Sequence, residues 1–388
     1  MKRLKIAYVT TYDATDVHKW SGLGYFIAKA LEKNLGDVDY IGNLETKKFF
    51  EYKIKRVFSK LIYNKRYETN ITPKVAKHYA AQIEKKMNGK DYDLIFCPGT
   101  VPISMVKSNI PIVIWTDACQ PGLLDFYDSK DNIPEESYRH GVEIENLALD
   151  NSSLAIFSSD WAASIALNYH RINPSKVKVV PFGANVEHNK SIEEISKLIR
   201  TRSKNVCKLL FVGVDWVRKG GDVAFKTAKG LNELGLRTEL KIVGCDPIIE
   251  GEIPDYVKPL GFISKSTEDG MKKLNSLFEE SHFLIVPSIA EAYGLVFCEA
   301  NSFGVPALAT NLGGIPTIIK NDINGRTFSK DANISEYVNY IFELMNDFAK
   351  YEKLALSSFI EYVTRLNWNT AGQSVKKLVE ELLNKTKF

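Results

Sequence analysis

Apolar residues in this chain recur in short runs, and longer amphipathic stretches separate them. The runs Lys5–Thr11, Val38–Gly42, Tyr92–Cys97, Ile110–Trp115, Ser153–Phe157 and Val177–Val180 read as buried parallel strands. Helical spacing fills the intervals, from Ser21 to Gly36, Thr72 to Met87 and Tyr138 to Leu149. Ser159 or Asp160 is placed to cap the helix that follows. A segment rich in Ser, Ile and Lys, Ser191–Arg200, interrupts this alternation, and the pattern then restarts. Lys208–Val214, Thr238–Gly244, Phe283–Val286 and Val305–Thr310 are the second set of strands. Helices are expected up to Leu234, over Thr267–Glu280, from Gly294 to Gly304, and over Ile334–Leu344 and Tyr351–Tyr362. Asn324-Gly325 predicts a tight turn. The last segment, Trp368–Leu383, repeats Ala371, Val375, Leu378, Val379 and Leu382 at helical spacing. Alternating strands and helices in two similar halves predict an α/β chain of two doubly wound domains.

The most informative stretch is PSIAEAYGLVFCEANSFG, Pro287 to Gly304. It lies at the carboxyl end of one predicted strand and the amino end of a helix, where open α/β sheets collect ligands. The backbone N–H groups of Tyr293, Gly294, Leu295 and Val296 suit an anion. Glu291 precedes that helix, and Glu299 lies inside it. Like charge makes two carboxylates poor phosphate ligands, but they accept readily from hydroxyls. A ligand with phosphates in its middle and hydroxyl-rich groups at both ends, a nucleotide-sugar, would satisfy all of these groups. Earlier in the same half, Arg218 and Lys219 stand at a strand tip just before a helix. There an Arg can hold phosphate through two parallel hydrogen bonds and a Lys adds a point charge. In the first half Gly22-Leu23-Gly24 fails as a dinucleotide motif. Ile27 occupies the third glycine's place, and the pair lies about ten residues beyond the strand instead of in the first tight turn.

Size and composition narrow the classes without choosing one. The 388 residues suffice for two domains, and 45% hydrophobic with 25% charged residues is ordinary for a globular protein. A net charge of +4 gives no nucleic-acid footprint. Cys97, Cys119, Cys207, Cys245 and Cys298 are odd in number and widely spaced. They read as reduced core thiols of a cytoplasmic protein, with neither a disulfide set nor a zinc site. The amino terminus enters a strand directly and lacks the apolar core of a signal peptide. No apolar run approaches the ~20 residues of a spanning helix.

The Glu-x7-Glu frame stands between Pro-Ser and a helix-ending Gly-x-Pro, and it resembles the retaining glycosyltransferases of family 4, bacterial-type group 1. Further matches run along the chain. Pro181-x-Gly183-x-Asn185 is similar to the family's exit from the first domain, and Lys219-Gly220 to its Gly-Arg-x4-Lys-Gly motif. Leu260-Gly261-Phe262-Ile263 is similar to its base-contacting segment, and Gly313-Gly314 to its sugar-side glycines. The resemblance implies the GT-B architecture: two Rossmann-like domains facing across a cleft, with the last helix crossing back. Residues 1–189 with 369–388 would form the acceptor domain and 190–368 the donor domain. It also implies that Gly22 and Gly24 approach the donor's diphosphate and that Phe262 and Ile263 meet the base through backbone groups. Two departures stand out. Val214 occupies the usual Arg position, leaving Arg218 to replace it, and Asp117 stands where the family often has a His near the transferred sugar.

The reaction implied is transfer of a sugar, with its anomeric configuration kept, from a nucleoside diphosphate to a hydroxyl of a glycan, lipid-linked or small-molecule acceptor. UDP is the preferred nucleotide and GDP the second. Arg218, Lys219 and the helix amides would hold the departing diphosphate, Glu299 the ribose, and Glu291 the sugar. Asp117 would bind a sugar hydroxyl or help accept the acceptor's proton. No Asp-x-Asp stands at a matching strand tip, so neither a metal nor another cofactor is expected. Double displacement with Glu291 as nucleophile is the mechanistic rival. A sugar-nucleotide epimerase or hydrolase, or a non-catalytic nucleotide-binding scaffold, remain alternatives. Residues 47–66 carry eight Lys or Arg against Glu51, interleaved with Phe49, Phe50, Tyr52, Phe58, Leu61, Ile62 and Tyr63. They suit either peripheral contact with an anionic membrane surface or a solvated helix whose aromatics pack on the domain.

Overall fold

A computed structural model describes residues 3–385 apart from 128, 187 and 189. The domain boundary expected at residue 189 lies outside the described residues. The chain forms two compact units: Met1–Pro181 with Ala371–Phe388, and Phe182–Thr370.

Unit 1 holds a six-stranded, all-parallel sheet of β1 (Leu4–Val9), β2 (Gly36–Ile41), β3 (Leu94–Cys97), β4 (Ile112–Thr116), β5 (Leu154–Phe157) and β6 (Val177–Val179). Their order is β2-β1-β3-β4-β5-β6. The central strands β3, β4 and β5 are buried at every position, which is why they read as unbroken apolar runs. Side chains at helix starts mark where the chain leaves the sheet. Thr72 accepts from the Val75 N–H ahead of Pro73 at the first helical position. Ser159 does the same for the helix Asp160–Tyr169 by accepting from the Ala162 N–H. The final helix, Trp368–Lys385, buries Ala371, Gly372, Val375 and Val379. From Ala371 on it belongs to unit 1, where Gly372 lies so close to Ala30 and Asn34 that a side chain would collide with them.

Unit 2 repeats the plan with β7 (Cys207–Val212), β8 (Thr238–Val243), β9 (Val257–Pro259), β10 (Phe283–Ile285), β11 (Ala307–Thr310) and β12 (Gly325–Phe328), ordered β12-β11-β10-β7-β8-β9. All its pairings are parallel. After β7 the chain builds outward through β8 and β9, then returns to lay β10 on the other side of β7. The β7/β10 seam is therefore the topological switch point, whose carboxyl-end crevice is the standard ligand position of such sheets. Buried Arg202 braces the far side of this region. It donates to the carbonyls of Glu279, Phe303 and Gly304 and to the Tyr351 hydroxyl, so its charge is covered by oxygens without a carboxylate.

One local expectation moves. The reversal before β12 runs over Lys320–Asn324, with Asp322 in the left-handed region, and Gly325 already opens the strand. Asn324 is fully buried and spends its amide on Asn301 and the Ile318 carbonyl, which rules out an exposed hairpin turn.

Candidate functional site

Two loops meet at the β7/β10 seam. The first, Gly213–Gly220, runs from β7 into the helix Gly221–Glu233. It is tightly determined. The Arg218 N–H is held by the Asp215 carboxylate at 2.9 Å, and the Arg218 carbonyl accepts from the Ile289 N–H of the second loop at 2.9 Å. Gly220 has φ +75° and sits so close to the Pro287 carbonyl that a side chain would strike backbone. The Lys219 stem folds across Gly213, and its ammonium ends on the Glu291 carboxylate as an ion pair. Both side chains are nearly buried, 13% and 10% exposed, so each charge neutralises the other out of water. Ser288 Oγ lies 3.5 Å from the same carboxylate oxygen. Arg218 is half-buried, with one guanidinium nitrogen 3.4 Å from the Ala290 carbonyl and its Nε 3.7 Å from Asp215.

The second loop delivers the helix Leu295–Ser302. Gly294 is its N-cap at φ +99°, where a Cβ would meet the Phe297 ring. The N–H groups of Leu295 and Val296 are in the first turn and have no partner within the helix. Tyr293 is buried, and its hydroxyl donates to the Phe182 carbonyl at 2.7 Å, so that side chain holds the loop in place. Glu299 lies inside the helix and is 1% exposed, and Lys265 reaches both of its oxygens, at 2.6 and 2.5 Å. Gly314 packs against the Ala292 carbonyl and donates its N–H to the Glu291 carbonyl, which ties the β11 loop to the same place.

The structure thus gathers Arg218, Lys219, Glu291, Gly294, Leu295 and Val296 at the seam. Phe262 and Ile263 lie in the loop after β9, at the same strand-end edge of the sheet, and Phe262 is largely exposed. Gly22, Gly24 and Asp117 belong to unit 1. There Gly22 caps the helix Leu23–Asn34 at φ +82°, and it follows Trp20 and Ser21, both also left-handed. Non-glycine residues in that region cost on the order of 1–3 kcal/mol each. Gly24 faces the Tyr12 hydroxyl, which a Cβ there would strike, and its carbonyl accepts from Tyr8 at 2.8 Å. Asp117 follows β4 directly.

Three residues were not legible beforehand. Lys265 sits in a serine-flanked loop, and only folding shows that it is the counter-ion of Glu299. Tyr12 hangs over Gly24 with its hydroxyl buried and without a hydrogen-bond partner among the described residues. Burial, with Cys97 and Asp117 nearby, pushes its phenol well up. His170 was hidden by distance in sequence. Cys119, Glu145 and His170 bring a sulfur, an oxygen and a nitrogen within 4.8 Å of one another, the one group of described residues able to surround a cation. Asn146 Oδ1 also accepts from the Arg171 N–H, so it takes the proton of His170 Nδ1. Nε2 is left 3.1 Å from a Glu145 oxygen that already accepts from the Gln120 N–H. Through the Gln120 N–H, the Glu145 carboxylate holds the start of the helix Gln120–Tyr127.

Comparison with known proteins follows the same outline. Residues 169–357 match the glycosyl transferases group 1 family. A D-inositol 3-phosphate glycosyltransferase of Thermobifida fusca is 23% identical over 267 residues, 66% of this chain and 61% of that protein. The matches reach 42 to 61% of the length of these curated relatives. Sucrose-phosphate synthase from Thermosynechococcus elongatus superposes with a TM-score of 0.69 at 16% identity, covering 99% of this chain and all of that one. Anabaena HepE, solved in complex with UDP-glucose, superposes at 0.60 and 17% identity, covering 98% of this chain and all of that one. The chain therefore has the GT-B fold, and its residues 169–357 carry the sequence pattern of the glycosyl transferases group 1 family.

Proposed function

We propose that this protein is a retaining glycosyltransferase. It would move a sugar from a nucleoside-diphosphate sugar, UDP-linked in the first instance and GDP-linked in the second, to a hydroxyl of a glycan, lipid-linked or small-molecule acceptor. The observation that carries this reading is the Lys219–Glu291 ion pair at the switch point of unit 2, beside the amino end of the helix Leu295–Ser302. A resting pair of this kind is a pair of blanks waiting for a ligand with complementary parts. The donor's diphosphate takes the Lys219 ammonium, helped by Arg218 and the Leu295 and Val296 amides. Glu291 is then free to accept from the sugar's hydroxyls. The same exchange operates at Glu299, where ribose hydroxyls replace the Lys265 ammonium. UDP-glucose in the complex with HepE, which shares this fold, supports a nucleotide-sugar as the donor class.

In the reaction the bond between the anomeric carbon and the diphosphate oxygen breaks. The acceptor oxygen bonds to that carbon from the same face, and its proton passes to the leaving phosphate oxygen. Preorganised donors aimed at developing charge supply roughly 3 kcal/mol each to such a transition state. Glu291 contributes by orienting the ring. Asp117 is assigned to the acceptor hydroxyl. Lys219, Arg218 and backbone amides meet the negative charge in this scheme, so the reaction needs no metal and is expected to run unchanged in chelator.

The test is a panel of UDP-, GDP-, ADP- and dTDP-sugars, read first as a rise in melting temperature on binding and then by the anomeric configuration of the product. A donor that binds and transfers with retention supports the proposal. Inversion, or release of free sugar that no acceptor suppresses, refutes it and favours the hydrolase reading.

A further inference from the structure

The basic segment 47–66 folds into the helix Phe50–Tyr63, and its burial is inverted relative to an ordinary surface helix. Only Tyr52 and Ser59, seven positions apart on one stripe, are buried against unit 1. Tyr52 packs on Tyr67, His140 and Phe49. The apolar side chains point the other way. Phe50 and Leu61 are 76% and 80% exposed, and Ile54, Val57, Phe58 and Ile62 are each at least 53% exposed. At about 100° per residue, Val57, Phe50, Leu61, Ile54 and Phe58 cover an arc of roughly 100° turned away from the buried stripe. The alternative in which the aromatics pack on the domain fails for Phe50, Phe58 and Tyr63, all exposed. An apolar stripe of this size open to water marks a surface that something covers.

Charge selects what covers it. Lys53, Lys60 and Arg56 flank one side of the arc, and all three are exposed. Glu51, the helix's single acid, is held by Lys74, and Lys55 is held by Glu136. Lysine is depleted from the centres of protein interfaces. Beside a lipid-facing stripe it can extend its stem along the apolar surface and leave its ammonium among headgroups. No helix among the described residues is long and apolar enough to cross a membrane, so this helix would lie in the interface plane.

We propose that the helix Phe50–Tyr63 docks unit 1 on a bilayer containing anionic phospholipid. Phe50, Ile54, Val57, Phe58 and Leu61 enter the acyl boundary, and Lys53, Arg56 and Lys60 meet the headgroups. The proposal stands on unit 1 alone and holds whether or not the protein transfers sugar.

The experiment is co-sedimentation of the full chain with vesicles of phosphatidylcholine alone and of phosphatidylcholine mixed with phosphatidylglycerol. Binding to the mixed vesicles is expected to be tighter by about tenfold or more, and to weaken as salt is raised. Phe50→Ser/Leu61→Ser changes two side chains that face solvent, so its melting temperature should equal that of the parent while vesicle binding is lost. Lys53→Glu/Arg56→Glu should abolish the preference for the anionic mixture. Failure of the parent to sediment with either vesicle overturns the proposal, as does equal binding of the serine variant. A concentration-dependent dimer that the serine variant dissociates, without vesicle binding, would also overturn it and make the face a contact between two copies of this chain.

Discussion

Lys219 and Glu291 constrain each other through a cost that each imposes alone. Removing the ammonium leaves a nearly buried carboxylate without a counter-ion, so Lys219→Met should lower stability by about 3 kcal/mol. Adding Glu291→Gln removes the orphaned charge and should restore most of that loss in a denaturation double-mutant cycle, while donor affinity stays low. Histidines offer a second test at this scale. Burial, with Arg202 nearby, pushes His282 down to about 3 from 6.5, and burial with Lys190 nearby pushes His188 down to about 4. His282 keeps its neutral form through definite contacts, since Nδ1 accepts from the Lys208 N–H and Nε2 donates to the Ser203 carbonyl. Both folded values lie below the unfolded one, so the unfolded chain binds more protons as pH falls below 6.5. Stability is therefore full above pH 6.5 and falls on acidification towards pH 4. The loss is about 2 kcal/mol for His282 by pH 5, and smaller for His188, which is partly open to solvent. A melting-temperature profile against pH should show it, and His188→Asn should flatten it in part. The residues of the seam were legible in the sequence as chemical types, because glycines, paired glutamates and a Lys-Gly step carry local meaning. Their pairing was not, because the Lys219–Glu291 and Lys265–Glu299 contacts depend on which loops the sheet order makes neighbours.

The helix Leu295–Ser302 is the element on which the proposed donor site turns, and its orientation is set at its entry. Gly294→Ala forces a side chain into φ +99° and into the Phe297 ring. A stability loss of roughly 1–2 kcal/mol is expected, together with weaker UDP binding as the first-turn amides shift. Titration calorimetry beside a denaturation curve separates the two effects. Strands and long helices were readable in sequence because the chain's periodicity matches what each element buries. β3, β4, β5 and β10 are apolar throughout because both faces are covered. The helix Thr72-capped at Pro73–Met87 announced its own start. Misreadings arose where local signals met long-range contacts. Asn324 does end a turn, but Gly325 beside it already opens β12, and Asn301 and Ile318 draw the Asn324 side chain inside. The helix Phe50–Tyr63 is amphipathic in sequence, yet nothing local tells which stripe faces the protein. Tyr52 and Ser59 decide that by packing on unit 1.

At the scale of the whole molecule, two sheets of the same plan come from two stretches of chain, and the last helix returns to the first. Val375 and Val379 are fully buried in that return. Val375→Ala should cost about 2 kcal/mol, in the range of lost buried methyl groups with a residual cavity. The loss should appear in the unfolding of unit 1, and UDP binding to the folded protein should remain. The GT-B fold was legible because strand and helix alternate twice with a break near Ser191. What the fold hosts is decided at its sites. The most direct test of the account is titration of UDP and of UDP-sugars into the parent protein and into Lys219→Met, both with chelator present. The account predicts saturable binding by the parent and a loss of about a hundredfold in the variant, as expected when a charged hydrogen bond to phosphate is removed. Equal affinities in the two proteins would contradict it, and so would a parent that binds none of the nucleoside diphosphates.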